Sequence, residues 1–179
     1  MRTIAGGDYA RYVEKTTHVF VWLGYLATCF PNAKFLHLVR HPADTFVSTY
    51  QNMFKRIFRF GYDQVEFAKE YAFSLRMMNL WKSLYPDHID TYYYEDLTDK
   101  TEECARRMVE FIGLPWDDRC LRFHEAKGLV RTFSAQQVKK PIYRTSVDRW
   151  RVYEKHLGPL LEELERQGVT YEPGKVTVN

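Results

Sequence analysis

FPNAKFLHLVRHPADTFVSTY, residues Phe30 to Tyr50, sets one apolar run between two structure breakers. Phe30-Pro31-Asn32 ends whatever helix precedes it, and Lys34 to Arg40, KFLHLVR, then reads as a short buried strand. Pro42 stands where the first turn of a helix would be, a position at which its missing N–H costs nothing. That helix is predicted to run from Pro42 to about Arg56. A strand feeding a helix in this way puts Arg40 at the carboxyl end of the strand. Ser48, eight residues on, falls about two turns into the helix. Ligands of open α/β sheets bind at the carboxyl ends of strands. A guanidinium fork there matches phosphate geometry, and a serine hydroxyl can add a further hydrogen bond. Taken as two isolated residues, Arg40 in a surface ion pair and a solvated Ser48 are the competing reading.

Outward from this stretch, residues 17–29 read as a helix with Thr16 or Thr17 as N-cap. Segment 63–84 is amphipathic, with Val65, Ala68, Ala72, Leu75, Met78, Leu80 and Trp81 near one face. Ile89 to Tyr94, IDTYYY, is a second strand ended by Glu95-Asp96. A helix over 99–112 stops at Gly113, a C′ glycine with Pro115 beyond. Residues 126–144 lack any period and read as a loop. Helices over 146–156 and 158–167 follow, the second opening with Pro159 and ending at Gly168. Helices alternating with short apolar strands predict an α/β fold, a largely parallel sheet flanked by helices. With no repeat or Pro/Gly/Ser-rich linker, residues 1–179 read as a single unit.

The chain has 179 residues, enough for one domain with a real core. Its 45% hydrophobic and 16% aromatic content argues against disorder. A net charge of +3 spread along the chain does not call for a nucleic-acid partner, although local basic clusters can bind phosphate. Cys29, Cys104 and Cys120 are odd in number and lack metal-ligand spacing, so reduced thiols of a cytoplasmic protein, with no metal, are the expectation. No apolar run approaches the ~20 residues of a membrane span, and the first residues lack an apolar signal core.

The string around Arg40 and Ser48 resembles the 3′-phosphate motif of sulfotransferases that use 3′-phosphoadenosine-5′-phosphosulfate (PAPS). Four further segments fall into the same order. Tyr12-Val13-Glu14-Lys15-Thr16 resembles the family's lysine segment, and Tyr94-Glu95-Asp96-Leu97 its Tyr-Glu-Asp-Leu strand end. Phe111-Ile112-Gly113-Leu114-Pro115-Trp116 is similar to its Gly-Leu-Pro-Trp turn, and 130–151, VRTFSAQQVKKPIYRTSVDRWR, to its late loop over the cofactor. Bacterial sulfotransferases attached to tetratricopeptide repeats are resembled most, tyrosylprotein sulfotransferases more distantly, over about residues 12–165. The resemblance implies a P-loop-NTPase-like fold and sulfuryl transfer from PAPS to a hydroxyl or amine of a small-molecule, glycan or peptide acceptor. By carry-over, Arg40 and Ser48 are the 3′-phosphate ligands, and Tyr94 contacts the nucleotide unless it is a core tyrosine. Lys15 and Ser134 assist as charge builds on the leaving phosphate, where a cation is chemically sensible. Ser134 to Tyr143 covers the cofactor, with Lys140 and Arg149 as further basic contacts near the phosphates.

There are also departures. The position after Arg40 is usually acidic in the family; here it is His41, read as a local peculiarity, with a changed helix cap or a second phosphate donor as alternatives. His37, inside the strand, reads as a packed histidine rather than a catalyst. Nothing before Lys15 reads as the strand and P-loop that cradle the 5′-phosphosulfate in the family, so the resemblance is to the C-terminal two-thirds of such a domain. The general base is also expected in that stretch. This chain alone is therefore expected to bind adenosine 3′,5′-bisphosphate weakly or not at all and not to turn over PAPS, unless an upstream P-loop segment or a homo-oligomer completes the site. A non-catalytic relative that binds a 3′-phosphorylated nucleotide or a protein partner is the alternative. A nucleotide kinase is a weaker one, since no G-x-x-x-x-G-K-[ST] is present. The acceptor pocket is expected to draw on 51–64, where Phe54, Phe58, Phe60 and Tyr62 alternate with Lys55, Arg56 and Arg59.

Overall fold

The computed structural model describes residues 11–51, 59–125, 142, 144–172 and 174–179. Strand β1, Phe35–Val39, pairs in parallel with β2, Ile89–Tyr93, in the register Phe35 opposite Ile89 to Val39 opposite Tyr93. Helix α1, Leu23–Cys29, precedes β1, and α2, Pro42–Gln51, and α3, Gln64–Leu84, connect the two strands. After β2 come α4, Tyr94–Asp99, α5, Thr101–Phe111, a 3-10 helix Arg149–His156 and α6, Gly158–Arg166. The chain closes in an antiparallel hairpin, β3, Val169–Glu172, with β4, Lys175–Val178. The parallel α/β core is as expected. Among the described residues no helix is long and apolar enough to cross a membrane.

Helix α3 organises the packing. Asp63 caps it by accepting from the Glu66 amide at 2.9 Å. Its buried face is Phe67, Ala68, Ala72, Leu75 and Met78. Leu80, expected on that face, is 47% exposed: two residues past Met78 is ~200° around the helix, which turns it to the opposite side. Phe67, Ala68, Ala72 and Leu75 join Val39 of β1, Ala43, Phe46 and Val47 of α2, Leu160 and Leu164 of α6, and Val169 and Val176 of the hairpin in one core. Met78 belongs to a smaller cluster with Phe20, Leu23 and Ile89. There Gly24 lets α1 reach α3, because a Cβ on it would lie 2.4 Å from the Trp81 ring. Arg76 of α3 holds the chain end, donating to the carbonyls of Gln167 at 2.6 Å and Asn179 at 3.2 Å.

Several expected boundaries shift. Residues 17–29 divide into a 3-10 turn, Val19–Val21, and α1, without a side-chain cap from Thr16 or Thr17. Helix α5 ends as expected: Gly113 takes φ 69°, its amide donates to Glu110, and the Leu114 amide to Val109, a Schellman arrangement. The strand ended by Glu95 stops one residue earlier than expected, at Tyr93, and Tyr94 opens α4. β1 is not fully buried. Phe35, His37 and Val39 point towards the core, whereas Leu36 and Leu38 are 44% and 51% exposed, since among the described residues only one face of the strand is covered. The end of the predicted 42–56 helix and the loop over 126–141 lie outside the described residues.

Candidate functional site

The carboxyl ends of β1 and β2 meet at one place, and what each strand does next builds the site. After Val39 the chain leaves the sheet at Arg40 and enters α2 at Pro42. His41 is the cap: its Nδ1 accepts from the Ala43 amide at 3.1 Å, and its carbonyl accepts from the Thr45 amide at 2.9 Å. The changed helix cap, and not a local peculiarity or a phosphate donor, is thus the reading of His41 that the geometry supports. An Nδ1 that accepts is unprotonated, and the environment holds it so. Burial, with smaller contributions from Arg151 and Arg40 against an opposing one from Asp148, lowers the His41 pKa to about 4. The ring is stacked on Trp150 at 4.9 Å and met edge-on by Tyr171 of the hairpin at 4.0 Å. The end of β2 supplies Glu95, whose Oε1 accepts the His41 amide at 2.9 Å and so ties the two strand ends together.

Arg40 is half-buried in this corner. Its guanidinium lies 4.8 Å over the Tyr94 ring and donates to the Ser146 carbonyl. Its main-chain carbonyl accepts from the Tyr71 hydroxyl at 2.7 Å. Burial, then Glu95, pushes the Tyr71 phenol far above its ordinary value, so it stays a donor. Arg40 Nε is buried and has no hydrogen-bond partner among the described residues. A cleft of about 220 Å³ opens here, lined by His37, Arg40, Thr45, Tyr71, Ser74 and Tyr94. His37 is half-buried in its wall, and burial, then Lys82, lowers its pKa to about 4.

The late segment is joined to α2 through a residue that sequence reading passed over. Asp44 is 1% exposed; its Oδ2 accepts the Asp148 amide at 2.8 Å and its Oδ1 the Trp150 amide at 2.9 Å. Asp148 takes φ 58°, and the expected 146–156 helix is therefore a 3-10 helix that starts at Arg149. The signal was available: a carboxylate between Ala43 and Phe46 on the buried face of a helix needs fixed donors.

The structure thus brings together Arg40, Tyr94 and, through Asp44 and Ser146, the segment carrying the exposed Arg149. Ser48 is half-buried on the same helix as Asp44, and neither it nor Arg149 is among the residues that line the Arg40 cleft. Lys15 is exposed in the segment without regular structure at 11–16 and does not line the Arg40 cleft. Its neighbours Glu14 and Thr16 line a different hollow of about 440 Å³ with His18, Trp22, Tyr25 and Leu26. Ser134 and Lys140 lie outside the described residues, as do Phe54, Lys55, Arg56 and Phe58. Among the described residues no group of three or more His, Cys, Asp or Glu is placed to hold a metal ion.

Comparison with known proteins points to one family. The sulfotransferase family model matches residues 3–118. An uncharacterized protein of Aquifex aeolicus is 38% identical over 169 residues, covering 88% of this chain and 21% of that protein. Protein-tyrosine sulfotransferase A of Caenorhabditis elegans is 29% identical over 157 residues, 82% of this chain and 40% of that protein. A putative protein-tyrosine sulfotransferase of the same organism is 26% identical over 148 residues, covering 78% and 56%. The chain therefore spans from about a fifth to just over half the length of these relatives.

Proposed function

The chain belongs to the sulfotransferase family, and from that membership we propose that it binds PAPS and serves sulfuryl transfer to a hydroxyl or amine acceptor, with the 3′-phosphate on Arg40 and Ser48. The observation that carries this reading is the buried Nε donor of Arg40, at the carboxyl end of β1 and without a hydrogen-bond partner among the described residues. A buried donor without a partner costs about 1–3 kcal/mol, which an anion in the cleft would recover. The guanidinium is already set on the Tyr94 ring, so its donors are oriented before a phosphate arrives. Tyr94 then borders the nucleotide, and Arg149 adds positive charge from the late segment. Lys140 is a further contact for the phosphates, and Lys15 and Ser134 are the groups proposed to stabilise charge on the leaving phosphate.

PAPS supplies the sulfuryl group; what the residues of this chain contribute is anchoring and charge. Transfer of this kind depends on positioning and electrostatic stabilisation, by analogy with phosphoryl transfer. The protein-tyrosine sulfotransferase relatives make a peptide tyrosine the first acceptor to try. The position of Lys15, exposed and outside the lining of the Arg40 cleft, favours keeping a second reading, a relative that binds the nucleotide without transferring from it.

Radiolabelled PAPS, offered with tyrosine peptides, simple phenols and sugars, separates the two. Transfer to at least one class, reduced ~10²-fold or more by Lys15→Ala, is the expected result for an enzyme. Nucleotide binding without any transfer, both by this chain and by a version supplied with an upstream P-loop segment, would establish the non-catalytic reading.

A further inference from the structure

Asp44 accepts two amides, those of Asp148 and Trp150, and the residue between them is Arg149. The two oxygens of one buried carboxylate therefore fix the backbone on both sides of a single arginine, across more than a hundred residues of sequence. The same helix carries Ser48, and the residue leading into it, Arg40, donates to Ser146 just upstream of the tether. His41 stacks on Trp150 and closes the same joint from the other side. We infer that Asp44 is a positioning residue for the nucleotide site: it registers Arg149 against the Arg40–Ser48 strand and helix, so that both arginines face one ligand.

This inference rests on the proposed nucleotide reading, and it has physical content apart from it. Charged acceptors make hydrogen bonds roughly twice as strong as neutral ones, and here both carboxylate oxygens are spent on backbone. A side chain whose only task was to stabilise the fold could cap its own helix; this one bridges to a distant segment instead. Arg149 itself is exposed while Trp150 beside it is buried in the core, so the carboxylate acts together with that packing to set its place.

Two measurements on Asp44→Ala and the more conservative Asp44→Asn test this. Asparagine keeps the volume and one acceptor, which guards against a variant that simply fails to fold. Without nucleotide, amide hydrogen exchange over 148–153 is expected to quicken about 10-fold, while the amides of α3 keep their protection. Unchanged exchange at 148–153, or a loss shared equally with α3, would overturn the tether.

With adenosine 3′,5′-bisphosphate, Arg149→Ala is expected to weaken binding about 10-fold in the unaltered chain. In the Asp44→Asn background it should cost less than about 2-fold, with Ser48→Ala costing the same in both. Additive losses for Arg149 and Asp44 would reduce Asp44 to a structural residue and sink the proposal. If the unaltered chain takes up no bisphosphate, the nucleotide reading falls and takes the positioning role with it. Exchange at 148–153 would then report on the tether alone.

Discussion

Arg40→Ala is expected to weaken binding of adenosine 3′,5′-bisphosphate by about 10- to 100-fold, the worth of a charge-assisted hydrogen bond of roughly 1.5–3 kcal/mol. The change removes the buried Nε donor, the contact to Ser146 and the cation over Tyr94 at once. It leaves the Arg40 carbonyl, to which Tyr71 donates, and the helix cap on His41, so strand and helix keep their anchors. Arg40→Lys tests fork geometry against charge. A lysine keeps the charge but presents no planar fork, so it should recover only part of the loss. Calorimetric titration measures all three proteins. Equal affinities for the unaltered chain and Arg40→Ala would take Arg40 out of the site.

The second large effect is on stability in acid. His37 and His41 both have folded-state pKa values of about 4 against an ordinary 6.5, in each case chiefly through burial. Between those values the unfolded chain binds up to one more proton at each histidine than the folded chain does. Falling pH therefore favours unfolding. The stabilisation is complete above about pH 6.5 and is lost as pH falls towards 4. The size is on the order of 3 kcal/mol for each histidine. Protonating His41 also removes the acceptor that caps α2. Asp44 works in the opposite sense, because burial raises its carboxyl and the folded state takes its proton earlier. Urea melts at pH 7.5, 5.5 and 4.5 should show unfolding free energy dropping steeply across this window. His41→Asn, a cap that does not titrate, should be less stable at pH 7.5 and lose less on acidification. A flat profile between pH 7 and 5 would contradict the buried, neutral state of both rings.

The parts of the fold legible in the sequence are those written by local patterning. β1 follows from a short, mostly apolar run, α2 from Pro42 after that run, and the end of α5 from Gly113, because only a left-handed residue closes that turn. What was missed depends on contacts between distant residues. Tyr94-Glu95-Asp96-Leu97 reads as the end of a strand, yet it forms the short helix α4. Glu95 there is fixed by the amide of His41, 54 residues away. The β3–β4 hairpin was passed over although VTYE and KVTV both alternate around Pro173-Gly174, because strands of four residues are short, and the Tyr171 contact to His41 is invisible locally.

The candidate site divides in the same way. Arg40 could be named because a strand end is a local feature, Tyr94 came from the resemblance, and the two do meet. Asp44 was passed over although a carboxylate on a buried helix face signals fixed donors; which donors these are is not local, since they lie at 148 and 150. Lys15 was drawn from resemblance alone, and the structure leaves it exposed, outside the lining of the Arg40 cleft.

The central claim is that this chain grips a 3′-phosphate. Calorimetric titration of the unaltered protein with adenosine 3′,5′-bisphosphate and with adenosine 5′-monophosphate addresses it most directly, since the two ligands differ only in that group. The bisphosphate is expected to bind at least about 10-fold tighter, as even one charge-assisted hydrogen bond to the 3′-phosphate would require. Equal affinity for the two, or no binding of either, would contradict it.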